Sequence, residues 1–149
     1  MTVTQHAARM SKVLSYVDAN LEQPIRTRTL ARVAALSTSH FSRAFKKFSG
    51  VNPWRYVCIR RLEHAQRMMC TTSDNLSTIA AACGLSDQSH LTRLFRRLVG
   101  MSPKQWRASQ AGPTASASRR RLQPQALVTY AIASENSSTT GFGAVTRGV

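Results

Sequence analysis

Apolar residues recur at helical spacing through residue 110 of this chain, and no convincing two-residue alternation marks a strand there. Val13, Leu14, Val17 and Leu21 form one face of a first helix, from about Thr4 to Leu21, which Pro24 ends. Thr29 can cap a short second helix, Leu30 to Ala35. Leu36-Ser37-Thr38 reads as a tight turn, and a third helix runs from about Ser39 to Ser49, with Gly50 well placed to end it in a left-handed cap. Asn52-Pro53 is a start signal, with Asn at the N-cap and Pro at the first helical position. The fourth helix that follows reaches about Cys70, carries Tyr56, Ile59, Leu62, Ala65 and Met69 on one side, and should span about 27 Å. After a loop at Thr71–Asn75, Ile79 to Cys83 is a short fifth helix ended by Gly84. Ser86 or Asp87 caps a sixth that runs to Val99 and stops at Gly100, and Ser102-Pro103 opens a seventh to about Gln110. The pattern predicts an all-α fold of seven helices.

Part of this pattern occurs twice. The fifteen residues from Ser39 to Pro53 return fifty positions later as Ser89 to Pro103, with Ser, His, Arg, Phe, Gly and Pro identical at 39/89, 40/90, 43/93, 45/95, 50/100 and 53/103. Most other pairs keep their class, such as Phe41/Leu91, Ser42/Thr92, Lys46/Arg96 and Lys47/Arg97. Two copies are too few for a solenoid and read as a duplicated module. Each copy follows a short helix and a turn, which is the helix-turn-helix plan, at 30–49 and 79–99, with one extra residue in the second turn. The fourth helix then joins two helix-turn-helix subdomains.

On a helix, Phe41, Ala44, Phe45 and Phe48 form one stripe and Ser39, Ser42, Arg43 and Lys46 another; Leu91, Leu94, Phe95 and Leu98 face away from Ser89, Thr92, Arg93 and Arg96 in the same way. The apolar stripes are the expected core. The polar ones suit a DNA groove: small hydroxyls permit close approach, Arg43 and Arg93 can fork onto guanine, and Gln88 can pair with adenine. Lys46, Lys47, Arg96 and Arg97, later in each helix, suit phosphate. A single such face would equally be the solvated side of a core helix; the matched second copy and its turn favour DNA. His40 and His90 hold equivalent rather than converging places, so packing or a phosphate contact fits them better than a metal. Trp54 and Trp106 each follow a Pro and are expected to anchor helices four and seven in the core.

Charge strengthens this reading. The net charge is +15; residues 1–110 hold 17 Lys and Arg against 5 Asp and Glu, which leaves +12 in the helical part. Such a surface calls for an anionic partner, nucleic acid before anionic membrane. Cys58, Cys70 and Cys83 are odd in number and lack a C-x-x-C pair, which argues against a disulfide framework and a zinc site and for helix-packed thiols in the cytoplasm. There is no secretory signal at the start and no apolar run long enough to span a membrane. From Ala111 onward Gly-Pro, Ser and Ala clusters and Arg119-Arg120-Arg121 read as a mostly disordered basic tail, 111–149, after a DNA-binding domain at 1–110.

From about Val13 to Arg107 the chain resembles the AraC/XylS family of bacterial transcription regulators. The resemblance is carried by Leu30-Ala31 through Gly50, by Arg61-Leu62-x-x-Ala65-x-x-Met68-Met69, by Ile79-Ala80-x-x-Cys83-Gly84-Leu85-Ser86-Asp87-Gln88-Ser89-His90-Leu91-Thr92-Arg93-x-Phe95, and by Gly100-Met101-Ser102-Pro103-Lys104-Gln105-Trp106-Arg107. It implies two helix-turn-helix subdomains whose third and sixth helices enter successive major grooves. Base-reading candidates by that likeness are Ser39, Ser42, Arg43, Gln88, Ser89, Thr92 and Arg93; phosphate candidates are His40, Lys46, Lys47, His90, Arg96 and Arg97. Leu85 departs from the Phe usual in the family, which should alter packing rather than recognition. The first helix begins almost at Met1, so the effector-binding domain that many members carry ahead of this one is not expected within this sequence. The resemblance also implies recruitment of RNA polymerase, usually for activation; no cofactor or metal is expected from these residues.

Two helices on one face of B-DNA need centres about 34 Å apart, and the fourth helix plus the packed subdomains can supply that in a monomer. The competing class is a basic helical module that grips nucleic acid or anionic surfaces without sequence preference; matched Ser, Thr and Gln positions argue against it. An enzyme is the third class, and no nucleophile motif or Cys-rich site supports it.

Overall fold

Residues 3–110 are the part of the chain that the computed structural model describes, and they contain seven α-helices and no strand. These are α1 (Val3–Ala19), α2 (Thr27–Val33), α3 (Thr38–Ser49), α4 (Pro53–Thr71), α5 (Leu76–Ala82), α6 (Gln88–Val99) and α7 (Pro103–Gln110). The tail at 111–149, with Arg119, Arg120 and Arg121, lies outside the described residues.

Local chemistry sets most of these boundaries. Ser37 accepts from the His40 amide to open α3, Asn52 from Arg55 to open α4, Asn75 from Thr78 to open α5, and Asp87 from His90 to open α6. Gly50 and Gly100 close α3 and α6 in left-handed conformations, at φ 80° and 85°. Two starts differ from expectation. Helix α5 begins at Leu76, because Asn75 is its cap rather than a loop residue. Helix α2 begins at Thr27 behind an Arg26 that makes no side-chain cap, a start that cap residues do not mark in the sequence. The two turns hold residues 34–37 and 83–87, so the second does carry one extra residue.

Two apolar cores form, one in each lobe. The first gathers Met10, Val13 and Val17 of α1, Leu30 and Ala31 of α2 and Phe41 and Phe45 of α3. The second gathers Ile79 and Ala80 of α5, Leu91, Leu94, Phe95 and Leu98 of α6 and Trp106 of α7. Equivalent positions do equivalent work: Leu30/Ile79, Ala31/Ala80 and Ala34/Cys83 are all buried. Helix α4 serves both lobes unequally. Val57 enters the first core, whereas Cys58, Ile59, Leu62, Ala65 and Met69 enter the second.

The expected aromatic anchors need correction. Trp106 is buried and meets Phe95 edge-on at 5.9 Å, but Trp54 is 57% exposed. Counting from the paired Pro53 and Pro103, Trp54 matches the exposed Lys104, and the partner of Trp106 is Tyr56. Tyr56 indeed meets Phe45 edge-on at 5.4 Å. Phe48 is likewise 51% exposed where its counterpart Leu98 is buried, so the first apolar stripe is shorter than the second. Cys58 and Cys83 are buried thiols, while Cys70 is exposed. Burial pushes Cys58 and Cys83 up to about 11 against the pull of nearby arginines, so both remain protonated and unreactive.

Candidate nucleic-acid interface

Phe41 and Phe45 turn one side of α3 into the first core and leave Ser39, His40, Arg43, Lys46 and Lys47 exposed, with Ser42 half-buried. Helix α6 repeats this: Leu91, Leu94, Phe95 and Leu98 face inward, Gln88, Ser89, Arg93, Arg96 and Arg97 are exposed, and His90 and Thr92 are half-buried. The sequence candidates therefore gather on two solvent-facing strips, one per lobe. No carboxylate of the described residues forms an ion pair with Arg43, Arg96 or Arg97. The same basic residues also end their helices, where Lys46, Lys47, Arg96 and Arg97 complement the negative pole of the helix dipole.

Hydrogen bonds refine what each side chain can offer. The Ser42 hydroxyl donates to the Thr38 carbonyl at 2.9 Å, and the Thr92 hydroxyl to the Gln88 carbonyl at 2.9 Å. With their protons engaged, both oxygens present lone pairs, which match the amino donors of adenine and cytosine. The Gln88 side-chain carbonyl accepts from Ser77 of α5 at 3.1 Å, leaving its amide N–H groups free to donate. Ser77 was not legible as part of the site: it lies 11 positions away, on the other helix of the pair. His90 Nδ1 shares a hydrogen bond with Ser86 Oγ at 3.1 Å, while the His40 ring lies 6.5 Å from that of His6 on α1. Both histidines thus have local partners.

Asp87 is the one carboxylate at the leading end of either strip. The His90 amide donates to it at 2.7 Å, and this bond, with help from Ser86 and the charge of Arg93, holds the carboxyl below its usual range. The positive charge of Arg93 is among the influences that stabilise the ionised Asp87. Among the described residues no group of three or more His, Cys, Asp or Glu is placed to hold a metal ion, and no helix is long and apolar enough to cross a membrane.

Behind the strips, α4 is tied to α1. Arg60 bridges Asp18 at 2.8 Å and the buried Glu63 at 2.7 Å. Burial raises the Glu63 carboxyl more than Arg60 lowers it. Arg61 donates to the carbonyls of Leu21 at 3.1 Å and Gln23 at 2.8 Å.

Comparison with known proteins agrees with this architecture. Residues 30–109 match a family described as a helix-turn-helix domain. The probable transcriptional regulator LumQ of Photobacterium leiognathi is 37% identical over 100 residues, covering 66% of this chain and 40% of LumQ. The chain thus spans well under half the length of that relative. A transcriptional regulator from Chromobacterium violaceum, described as an AraC-type DNA-binding domain protein, superposes with a TM-score of 0.67 at 29% identity, covering 72% of this chain and 96% of that one. The DNA-binding domain of AdpA, a global transcriptional factor solved in complex with a target DNA, superposes with a TM-score of 0.64 at 29% identity, covering 67% of this chain and 90% of that one.

Proposed function

The chain belongs to the AraC-type helix-turn-helix family of DNA-binding transcriptional regulators, and we propose that it reads one asymmetric, bipartite site on duplex DNA by laying α3 and α6 in successive major grooves. The observation that carries this reading is the pair of equivalent strips, Ser39-Ser42-Arg43 and Ser89-Thr92-Arg93, each on the solvent-facing side of the second helix of a helix-turn-helix unit, with the Ser and Arg at its ends exposed. Arg43 and Arg93 fork onto guanine O6 and N7. Gln88, held by Ser77, faces adenine at the leading end of α6 with Ser89, and Ser42 and Thr92 accept from base amino groups. Lys46, Lys47, Arg96 and Arg97, with His40 and His90, grip phosphates and fix the register.

One chain carries both reading helices, so a monomer suffices for one site. Contact with RNA polymerase at a promoter, leading to activation in the cytoplasm, is what the family likeness supports beyond DNA binding. The test is selection of bound sites from random duplex DNA with the full chain, followed by footprinting. Two short, unlike sequence blocks about one helical turn apart are expected. Binding without enrichment, weakening equally with salt on every sequence, would instead favour an electrostatic grip with no sequence preference.

A further inference from the structure

Three segments distant in the sequence meet at one guanidinium in the middle of α4. Arg61 Nε and Nη2 donate to the Leu21 and Gln23 carbonyls, which belong to the loop after α1 in the first lobe. Gly84, in the turn between α5 and α6 of the second lobe, sits against the same place. A Cβ on Gly84 would lie 2.3 Å from the Leu21 carbonyl oxygen, 2.9 Å from Arg61 Nη2 and 3.1 Å from Arg61 Cζ. The equivalent residue of the first turn is Ala35, which is exposed and keeps its methyl group despite a left-handed φ of 52°. A left-handed turn alone therefore does not require glycine in this protein. At residue 84 the close approach of the other lobe does.

We infer that Arg61, clamped between the Leu21 and Gln23 carbonyls and the Gly84 turn, is a positioning residue that sets the angle between the two lobes and thereby the half-site spacing the protein accepts. Helix α4 alone fixes how far apart the lobes are, but a single helix leaves rotation about its own ends to be set by side contacts. The junction supplies such a contact directly beneath the turn that aims α6. Each base pair inserted between half-sites swings one of them by about 34° and moves it by about 3.4 Å, so a small change in lobe angle changes which spacing fits. This inference rests on the reading that α3 and α6 engage one duplex.

The test uses the full chain and two readouts. The first is affinity for the selected site, for each half-site alone, and for versions with one or two base pairs inserted or removed between them. The second is the distance distribution between spin labels at Lys47→Cys and Arg97→Cys in a Cys70→Ser background, measured without DNA. Wild type is expected to lose at least about tenfold in affinity on altered spacing, because simultaneous engagement is lost. Arg61→Leu is expected to keep each half-site affinity within about twofold, to flatten the spacing dependence to about threefold or less, and to broaden the label distance. Should Arg61→Leu fail to fold, Arg61→Lys carries the test, together with Gly84→Ala set against Gly100→Ala. Gly100 has a similar φ of 85° but nothing within 4 Å of its would-be Cβ, so it takes the backbone strain without the clash. Gly84→Ala should shift the label distance and the preferred spacing, and Gly100→Ala should shift neither. A folded Arg61 variant with unchanged label distance and unchanged spacing preference overturns the inference. A wild type indifferent to spacing, with a narrow label distance, overturns the two-groove reading and this consequence of it, while leaving the junction intact as a mechanical contact.

Discussion

Arg43 and Arg93 share a register, an exposed position and a place one turn into their helices, yet their surroundings differ. Arg93 has Asp87 close enough to feel its charge, whereas Arg43 follows the uncharged cap Ser37. If both read guanine, replacing either with Ala should relax specificity in its own block only, by about 1–3 kcal/mol in discrimination. Site selection with each variant checks this, and a uniform loss on all sequences would reassign that arginine to phosphate. Single residues also differ from what the sequence predicts. A Trp after Pro at both helix starts predicts an anchor at Trp54, but position within the turn decides burial: Tyr56 and Trp106, three residues after their prolines, are the ones that reach Phe45 and Phe95. Alignment of the two copies by register carries that signal, and the identity of the aromatic does not.

At the scale of elements, the two helix-turn-helix units differ most in their turns. Ala35 holds a left-handed φ of 52°, a conformation that costs a residue with a Cβ about 1–2 kcal/mol. Since Ala35 is exposed, Ala35→Gly should relieve that strain, partly offset by the extra freedom of Gly in the unfolded chain. A net gain of about 0.5–1 kcal/mol is expected in denaturant unfolding. The start of α6 has its own test. Asp87 is held below its usual value of 3.8, first by the His90 amide, so its ionised form favours the folded state. That contribution is present above about pH 3.8 and is lost as pH falls through the lower folded value. Asp87→Asn should therefore flatten the acid side of the stability profile, seen as a smaller fall in Tm between pH 4 and pH 2 by roughly that linkage. An unchanged slope would mean that the cap works by hydrogen bonding alone.

For the whole molecule, a net charge of +15 predicts a large salt-dependent contribution to DNA affinity. Lys47, Arg96 and Arg97 are exposed at the far ends of α3 and α6. Replacing any one with Ala should weaken binding to all sequences alike and reduce the salt slope of log K by about 1. Titrations of matched and scrambled duplexes over a range of salt separate this from base reading, because the ratio between the two duplexes should stay constant. The unequal sharing of α4 matters at the same scale. Most of its buried face belongs to the second core, so the first lobe is held to it by Val57, by Tyr56 against Phe45, by the Arg60 bridge to Asp18 and by the Arg61 junction.

The helix count, the repeat and its register, the closing glycines and the two polar strips were determined by the sequence alone, because periodicity and capping act within a few residues along the chain. The start of α5 was encoded too, in Asn75, but a single Asn inside a polar stretch reads as loop until its hydrogen bond to Thr78 is seen. The division of α4 between two cores, the bar to a side chain at Gly84 and the carbonyls that Arg61 holds follow from packing in three dimensions. Those contacts join residues 38 and 40 positions apart through backbone oxygens, and every residue type has the same backbone oxygen to offer, so no sequence pattern records them.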